Sequence, residues 1–230
     1  MGTIIIKSNI KLVNSYRTNA RIAGILFIIA TVASIVGTAV TDPIIKSSEP
    51  LVKIAANQNQ VIIGAILGFT AALSSASIAL WLYPILKHYD ETKAIAAVGF
   101  RIIEGVFYSV GAIILILLVY LSTHLIISNS VVNVLLVTRN ITGFIFGATS
   151  FSMGGLLYYF IFYKSRLIPR WLSAWGILGV ALLLAAIFIT IFAKKNFTIE
   201  GSLMILALPI ALQEMILAVW LIFKGFSAQK

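Results

Sequence analysis

AIAAVGFRIIEGVFYSVGAIILILLVYL, from Ala94 to Leu121, decides the fold. An α-helix rises about 1.5 Å per residue, so about 20 mostly apolar residues cross the hydrocarbon core of a bilayer. This stretch exceeds that length. Its polar residues are not scattered: Arg101 and Glu104 stand three apart and Tyr108 follows one turn later, which puts all three on one helical face. A charge at the bilayer centre costs about 2.5 to 3.5 kcal/mol if it faces lipid alone. The face carrying Arg101 and Glu104 therefore has to turn toward other helices.

Five further apolar stretches flank this one. They run over about 20–40, 61–86, 132–163, 171–193 and 202–226, giving six spans with 94–121 as the third. Composition agrees. The chain has 230 residues, of which 60% are hydrophobic and 10% charged, with a mean hydropathy of +1.06. Soluble domains carry about 25% charged residues. The expected fold is all-α, a polytopic bundle of six transmembrane helices. A short segment (1–19) precedes it and a short tail (227–230) follows.

Loop charge orients the bundle. With the N-terminus inside, the inner segments hold Lys7, Lys11, Arg17, Arg21, Lys87, Lys93, Lys164, Arg166, Arg170, Lys224 and Lys230, and the outer loops only Lys46, Lys53, Lys194 and Lys195. Cationic residues gather on cytoplasmic loops, so both termini are expected in the cytoplasm of a multi-pass cell-membrane protein. Trp81, Trp171, Trp175 and Trp220 fall near the same ends, where indoles anchor at the interface. The net charge of +10 then reflects topology and anionic membrane lipids, and nucleic acid is not an expected partner. The first apolar run is longer than a signal-peptide core, so retention as a helix is expected. Between the first two spans, Pro50 is placed to open a short helix.

Charges recur in two other spans. Arg139 in the fourth is followed by Gly143, Gly147, Ser150 and Gly154 at helical spacing. Glu214 in the sixth lies among Ala207, Ala211 and Ala218. Small residues at every turn let helices approach closely. Pro209, one turn before Glu214, is expected to kink the sixth helix. Depth estimates at 1.5 Å per residue place Glu104 roughly 15 Å in, near mid-bilayer. Glu214 lies at a similar depth, Arg101 is nearer the inside, and Arg139 is nearer the outside. Arg139 has the alternative of reaching outward to the interface on its long stem.

Two readings of this set stand side by side. Arg101, Glu104, Tyr108, Glu214 and Arg139 form a site that binds a ligand or carries a proton; or the four charges neutralise one another and only fix helix packing. Gln213 points about 100° away from Glu214 around the helix, and its membership of the site stays open. A second cluster, Lys164-Ser165-Arg166-Leu167-Ile168-Pro169-Arg170-Trp171, with Trp175 beyond, belongs to the inner interface. There Arg166, Arg170, Trp171 and Trp175 would anchor the chain and meet lipid headgroups. Ser74-Ser75-Ala76-Ser77 is read as a packing surface.

Several chemistries lack their residues. Cysteine is absent, which removes disulfides, thiolate metal sites and cysteine nucleophiles. His88 and His124 lie near opposite ends of spans and cannot share a haem or zinc ion. No HExxH, GxSxG or phosphate-binding loop occurs. No catalytic residue, cofactor or metal is therefore assigned.

The strings Gly99-Phe100-Arg101-Ile102-Ile103-Glu104-Gly105, Ser165-Arg166-Leu167-Ile168-Pro169-Arg170-Trp171-Leu172-Ser173 and Leu208-Pro209-Ile210-Ala211-Leu212-Gln213-Glu214 resemble a prokaryotic integral membrane family, domain of unknown function 4386. Trp81-Leu82-Tyr83-Pro84-Ile85-Leu86 and Ala218-Val219-Trp220-Leu221 share the resemblance, which covers about 17–226. It implies a multi-spanning membrane protein and brings no activity with it. The expected function is transport or sensing of a small or lipid-like solute. A structural or regulatory subunit is the alternative, and a lipid-modifying enzyme the third.

Overall fold

The computed structural model describes residues 2–124, 128–193 and 201–227, with side chains from 16 onward except for 201 and 202. Eight α-helices are present: α1 (Gly2–Ile45), α2 (Pro50–Ala56), α3 (Gln58–Leu86), α4 (Glu91–His124), α5 (Asn129–Asn140), α6 (Ala148–Ser165), α7 (Arg170–Phe192) and α8 (Leu208–Phe223). No strand occurs among the described residues. Among the described residues six segments are long and apolar enough to cross a membrane: Tyr16–Ile45, Gln58–Leu86, Glu91–His124, Asn129–Ser165, Arg170–Phe192 and Leu203–Phe223. The chain is an all-α, multi-pass integral membrane protein.

Three details follow from local chemistry. Pro50 does open a helix, α2, because a proline at the first helical position lacks only an amide that would have no partner there. The fourth span is not one regular α-helix. Between α5 and α6 the backbone widens into a π-helix, Ile141–Gly147, so the expected uniform helical spacing breaks in its middle. The sixth span also differs from expectation. Its first turns, Gly201–Ala207, are a 3₁₀ helix, and α8 begins at Leu208 with Pro209 in its first turn. Pro209 therefore starts a helix and does not kink one, since a first-turn residue gives up no intrahelical hydrogen bond.

The spans close into a ring that follows chain order. α1 packs on α3, α3 on α4, α4 on α6, α6 on α7, α7 on α8, and α8 returns to α1. Glycines set the closest approaches. A Cβ at Gly64 would stand 2.1 Å from Thr41 Cγ2 of α1, and one at Gly24 would stand 2.7 Å from the Ala218 carbonyl of α8. Only glycine fits at such contacts. The start of the first span and the end of α8 lie at one end of the ring, here termed the terminal end: a Cβ at Gly225 would stand 4.0 Å from Arg17 Cγ and Ala20 Cβ, and the Ser227 amide donates to the Leu167 carbonyl at 2.8 Å. Leucine, isoleucine and valine side chains exposed on the outside of the ring, such as Val32, Ile66, Ile113 and Leu178, need an apolar solvent around them. Lys194, Lys195 and Lys230 lie outside the described residues.

Candidate functional site

Half-way along the ring the polar side chains converge on its axis. Arg101 and Glu104, each 1% exposed, approach to 3.1 Å between Nη1 and Oε2. Glu104 Oε1 accepts a hydrogen bond from the Ser75 hydroxyl of α3 at 2.7 Å. The Arg101 guanidinium lies over the Phe151 ring at 4.8 Å and over the Tyr158 ring at 5.9 Å. Two aromatic faces and a carboxylate thus surround a cation that water does not reach. The Arg101–Glu104 contact is an ion contact with no aligned hydrogen bond, since neither Nη1 nor Oε2 has a hydrogen-bond partner.

Glu214 approaches from α8. It is 9% exposed, and its buried Oε1 has no hydrogen-bond partner. Arg101 and Glu104 are the charges nearest to it in effect, and Tyr158 stands beside it. Glu214 is in no ion pair within 4 Å among the described residues. The neighbouring residue, Gln213, takes the opposite direction. Its Oε1 accepts from the Tyr159 hydroxyl at 2.5 Å, and its Nε2 donates to the Leu172 carbonyl at 3.1 Å. Gln213 ties α8 to α6 and α7 and is not part of the charged centre.

The glycines of the fourth span serve the side chains of the third. A Cβ at Gly147 would come within 2.7 Å of Tyr108 Cε1, and one at Gly154 within 3.0 Å of Arg101 Cγ. The small-residue face is thus a mould for Tyr108 and Arg101, as well as a surface for close approach. The π-helix lies where this mould receives Tyr108: Gly143 and Gly147 both face its ring.

From this floor a cavity of about 470 Å³ extends toward the end of the ring away from the termini. Glu104 and Glu214 lie at its floor, Tyr108, Phe144 and Phe151 on its walls, and Arg139 and Asn140 higher up. Arg139 sits at the level of Gly111, whose Cβ would be 3.6 Å from Arg139 Cγ. Seven residues separate Gly111 from Glu104, so the α4 backbone beside Arg139 stands about 10 Å along the axis from that at Glu104. It makes no ion pair within 4 Å among the described residues. One expectation is corrected here. The four charges are not one mutually paired assembly, because among them only Arg101 and Glu104 come within 4 Å. Arg139 lines the cavity.

Sequence reasoning missed several members. Ser75, read as packing, holds Glu104. Tyr158 was not singled out, although it is wholly buried beside Glu214. Thr31, Ser34, Thr38 and Thr41 line the cavity from α1 at spacings of three, four and three. That polar stripe is a periodic signal visible in the sequence.

The interface residues lie at the terminal end. Arg166 ends α6 in the left-handed region (φ 57°), and its guanidinium-bearing side chain is exposed. Arg170 lies over the Tyr163 ring at 5.4 Å, Trp171 and Trp175 are 6.4 Å apart, and Trp171 is exposed. A smaller cleft of about 260 Å³ nearby is bordered by Asp90, Lys93 and Lys164. Hydrogen bonds from the Lys93 side chain and amide hold the Asp90 carboxyl below its ordinary range. No group of three metal-ligating side chains occurs among the described residues.

These features define a class: a six-span membrane protein with a charged floor inside a ring of helices. The chain belongs to the family described as Domain of unknown function (DUF4386), whose model matches residues 22–225. No curated protein and no solved structure matches the chain.

Proposed function

We propose that the protein binds a small solute in the axial cavity and passes or senses it across the cell membrane. The observation that carries this reading is the cavity's reach to Glu214, a carboxylate with a buried oxygen that no protein group satisfies. A buried charge left unpaired is costly, and the cost falls when a ligand supplies the missing partner. Within this site Arg101 and Glu104 form the scaffold, since each faces the other and Ser75 holds Glu104 Oε1. Glu214 meets the solute, Tyr108 shapes the wall and Arg139 stands on the path. The cavity lies within the range of about 300–1,000 Å³ usual for small-molecule sites. The termini are cytoplasmic, so the cavity opens toward the outside, while Arg166, Arg170, Trp171 and Trp175 meet lipid headgroups on the inside.

The absence of cysteine gives a clean test. Ala211 lines the cavity, whereas its neighbour Leu212 is exposed on the outside of the ring. A maleimide reacts with a thiolate, which forms in water and not in hydrocarbon. Ala211→Cys in lipid nanodiscs is expected to react with a hydrophilic maleimide and Leu212→Cys to stay unmodified. Equal resistance of both positions would show that water does not enter the cavity, and would overturn the reading.

A further inference from the structure

The axial cavity is lined by two opposite charges, Glu214 and Arg139, that make no ion pair within 4 Å among the described residues, and their positions specify a ligand. At the floor, Glu104 is in ion contact with Arg101 and accepts from Ser75 at Oε1, whereas Glu214 has no ion pair within 4 Å among the described residues and no hydrogen bond at its Oε1. On the wall, Arg139 has no ion pair within 4 Å among the described residues. Arg139 packs beside Gly111, whose backbone stands about 10 Å of helical rise above that of Glu104 at the floor. Protein groups that are to neutralise one another converge, as Arg101 and Glu104 do. Glu214 and Arg139 instead face one cavity from two levels.

Resting on the solute-binding reading above, we infer that the solute is a small zwitterion, with a cationic nitrogen toward Glu214 and a carboxylate or similar anion toward Arg139. Each end of the ligand finds its counter-charge. An ammonium group donates to the Glu214 carboxylate where it borders the cavity, in a charge-assisted hydrogen bond. A planar anion accepts from the guanidinium fork, the geometry in which arginine binds carboxylates in two parallel hydrogen bonds. The Tyr108 ring between these levels, with Phe151 at the floor and Phe144 on the wall, suits a cation's passage and a short aliphatic middle. A ligand with only one charge leaves the other protein charge unmatched. A chain of about four carbons between the charged atoms, with one hydrogen bond of about 2.8 Å at each end, covers the distance.

The test compares 4-aminobutyrate with butylamine and butyrate, which each lack one of its charges. Binding to the full chain in nanodiscs is measured by titration calorimetry at neutral pH, beside the maleimide reactivity of Ala211→Cys. The zwitterion is expected to bind at least tenfold more tightly than either control. Glu214→Gln is expected to bring its affinity down to that of butyrate, and Arg139→Gln to that of butylamine. Butylamine binding as tightly as 4-aminobutyrate would overturn the zwitterion assignment and leave a solute site standing. So would failure of all three to bind while Ala211→Cys reacts. An unreactive Ala211→Cys together with no binding overturns both the site and its ligand. The wild-type comparison needs no variant to fold.

Discussion

Arg101 and Glu104 present the physical question in its smallest form. Two charges, each 1% exposed, sit 3.1 Å apart without an aligned hydrogen bond. Desolvation of such a pair opposes its attraction, so it adds little net stability, whereas removing one partner strands the other. Arg101→Leu is therefore expected to destabilise the protein by about 3–5 kcal/mol. Adding Glu104→Leu to that variant should restore most of the loss, because an apolar pair of similar volume carries no desolvation cost. Thermal unfolding of the single and double variants in nanodiscs checks this. A double variant as unstable as the single would mean that the pair contributes more than mutual neutralisation. At this scale the sequence was informative about residue type and spacing. It located Arg101, Glu104 and Tyr108 on one face and Glu214 at their depth. Which of them pair was not legible, because that depends on how Ser75 and Gly154 on other helices meet α4.

At the scale of elements, hydrophobic length carried most of the information. All six spans follow from it, since a segment that crosses lipid has to satisfy its own backbone and runs about 20 residues or more. Changes of helix type inside a span were not legible. The π-helix at Ile141–Gly147 and the 3₁₀ turns at Gly201–Ala207 differ from α-helix by one hydrogen-bond step, which no residue pattern encodes strongly. Pro209 illustrates the point. Counted in a continuous helix it breaks a hydrogen bond; at the start of α8 it breaks none. Pro209→Ala is then expected to lower stability by only about 0.4–1 kcal/mol, through a more flexible unfolded chain. A helix interior proline costs about 3 kcal/mol, so its replacement would stabilise the protein markedly. Unfolding midpoints of Pro209→Ala and the parent separate the two cases by sign.

For the whole molecule, the ring explains how a charged floor and a cavity coexist with a chain that is 60% hydrophobic. Closing α8 back onto α1 puts lipid on one side of every span and the axis on the other. Polar groups gather on the axis, and isoleucine, leucine, valine and phenylalanine face outward. The closure also makes the cavity asymmetric. Tyr158, Tyr159 and Phe162, none of them exposed, fill the axis toward the terminal end, and the open volume lies toward the other. The direction of access thus depends on orientation, which loop charge sets. The terminal end gathers Arg17, Arg21, Lys87, Lys93, Lys164, Arg166, Arg170 and Lys224, whereas the α1–α2 turn at the far end has Lys46 bound to Asp42 at 2.7 Å. By the bias of cations toward cytoplasmic loops, the first set is expected on the cytoplasmic side, where anionic headgroups would hold it. Ser48 and Tyr89 are exposed at opposite ends. On intact cells a membrane-impermeant maleimide is expected to label Ser48→Cys, and to label Tyr89→Cys only after permeabilisation. The reverse order would place the cavity mouth in the cytoplasm and turn the solute's route around, with the same floor at Glu214.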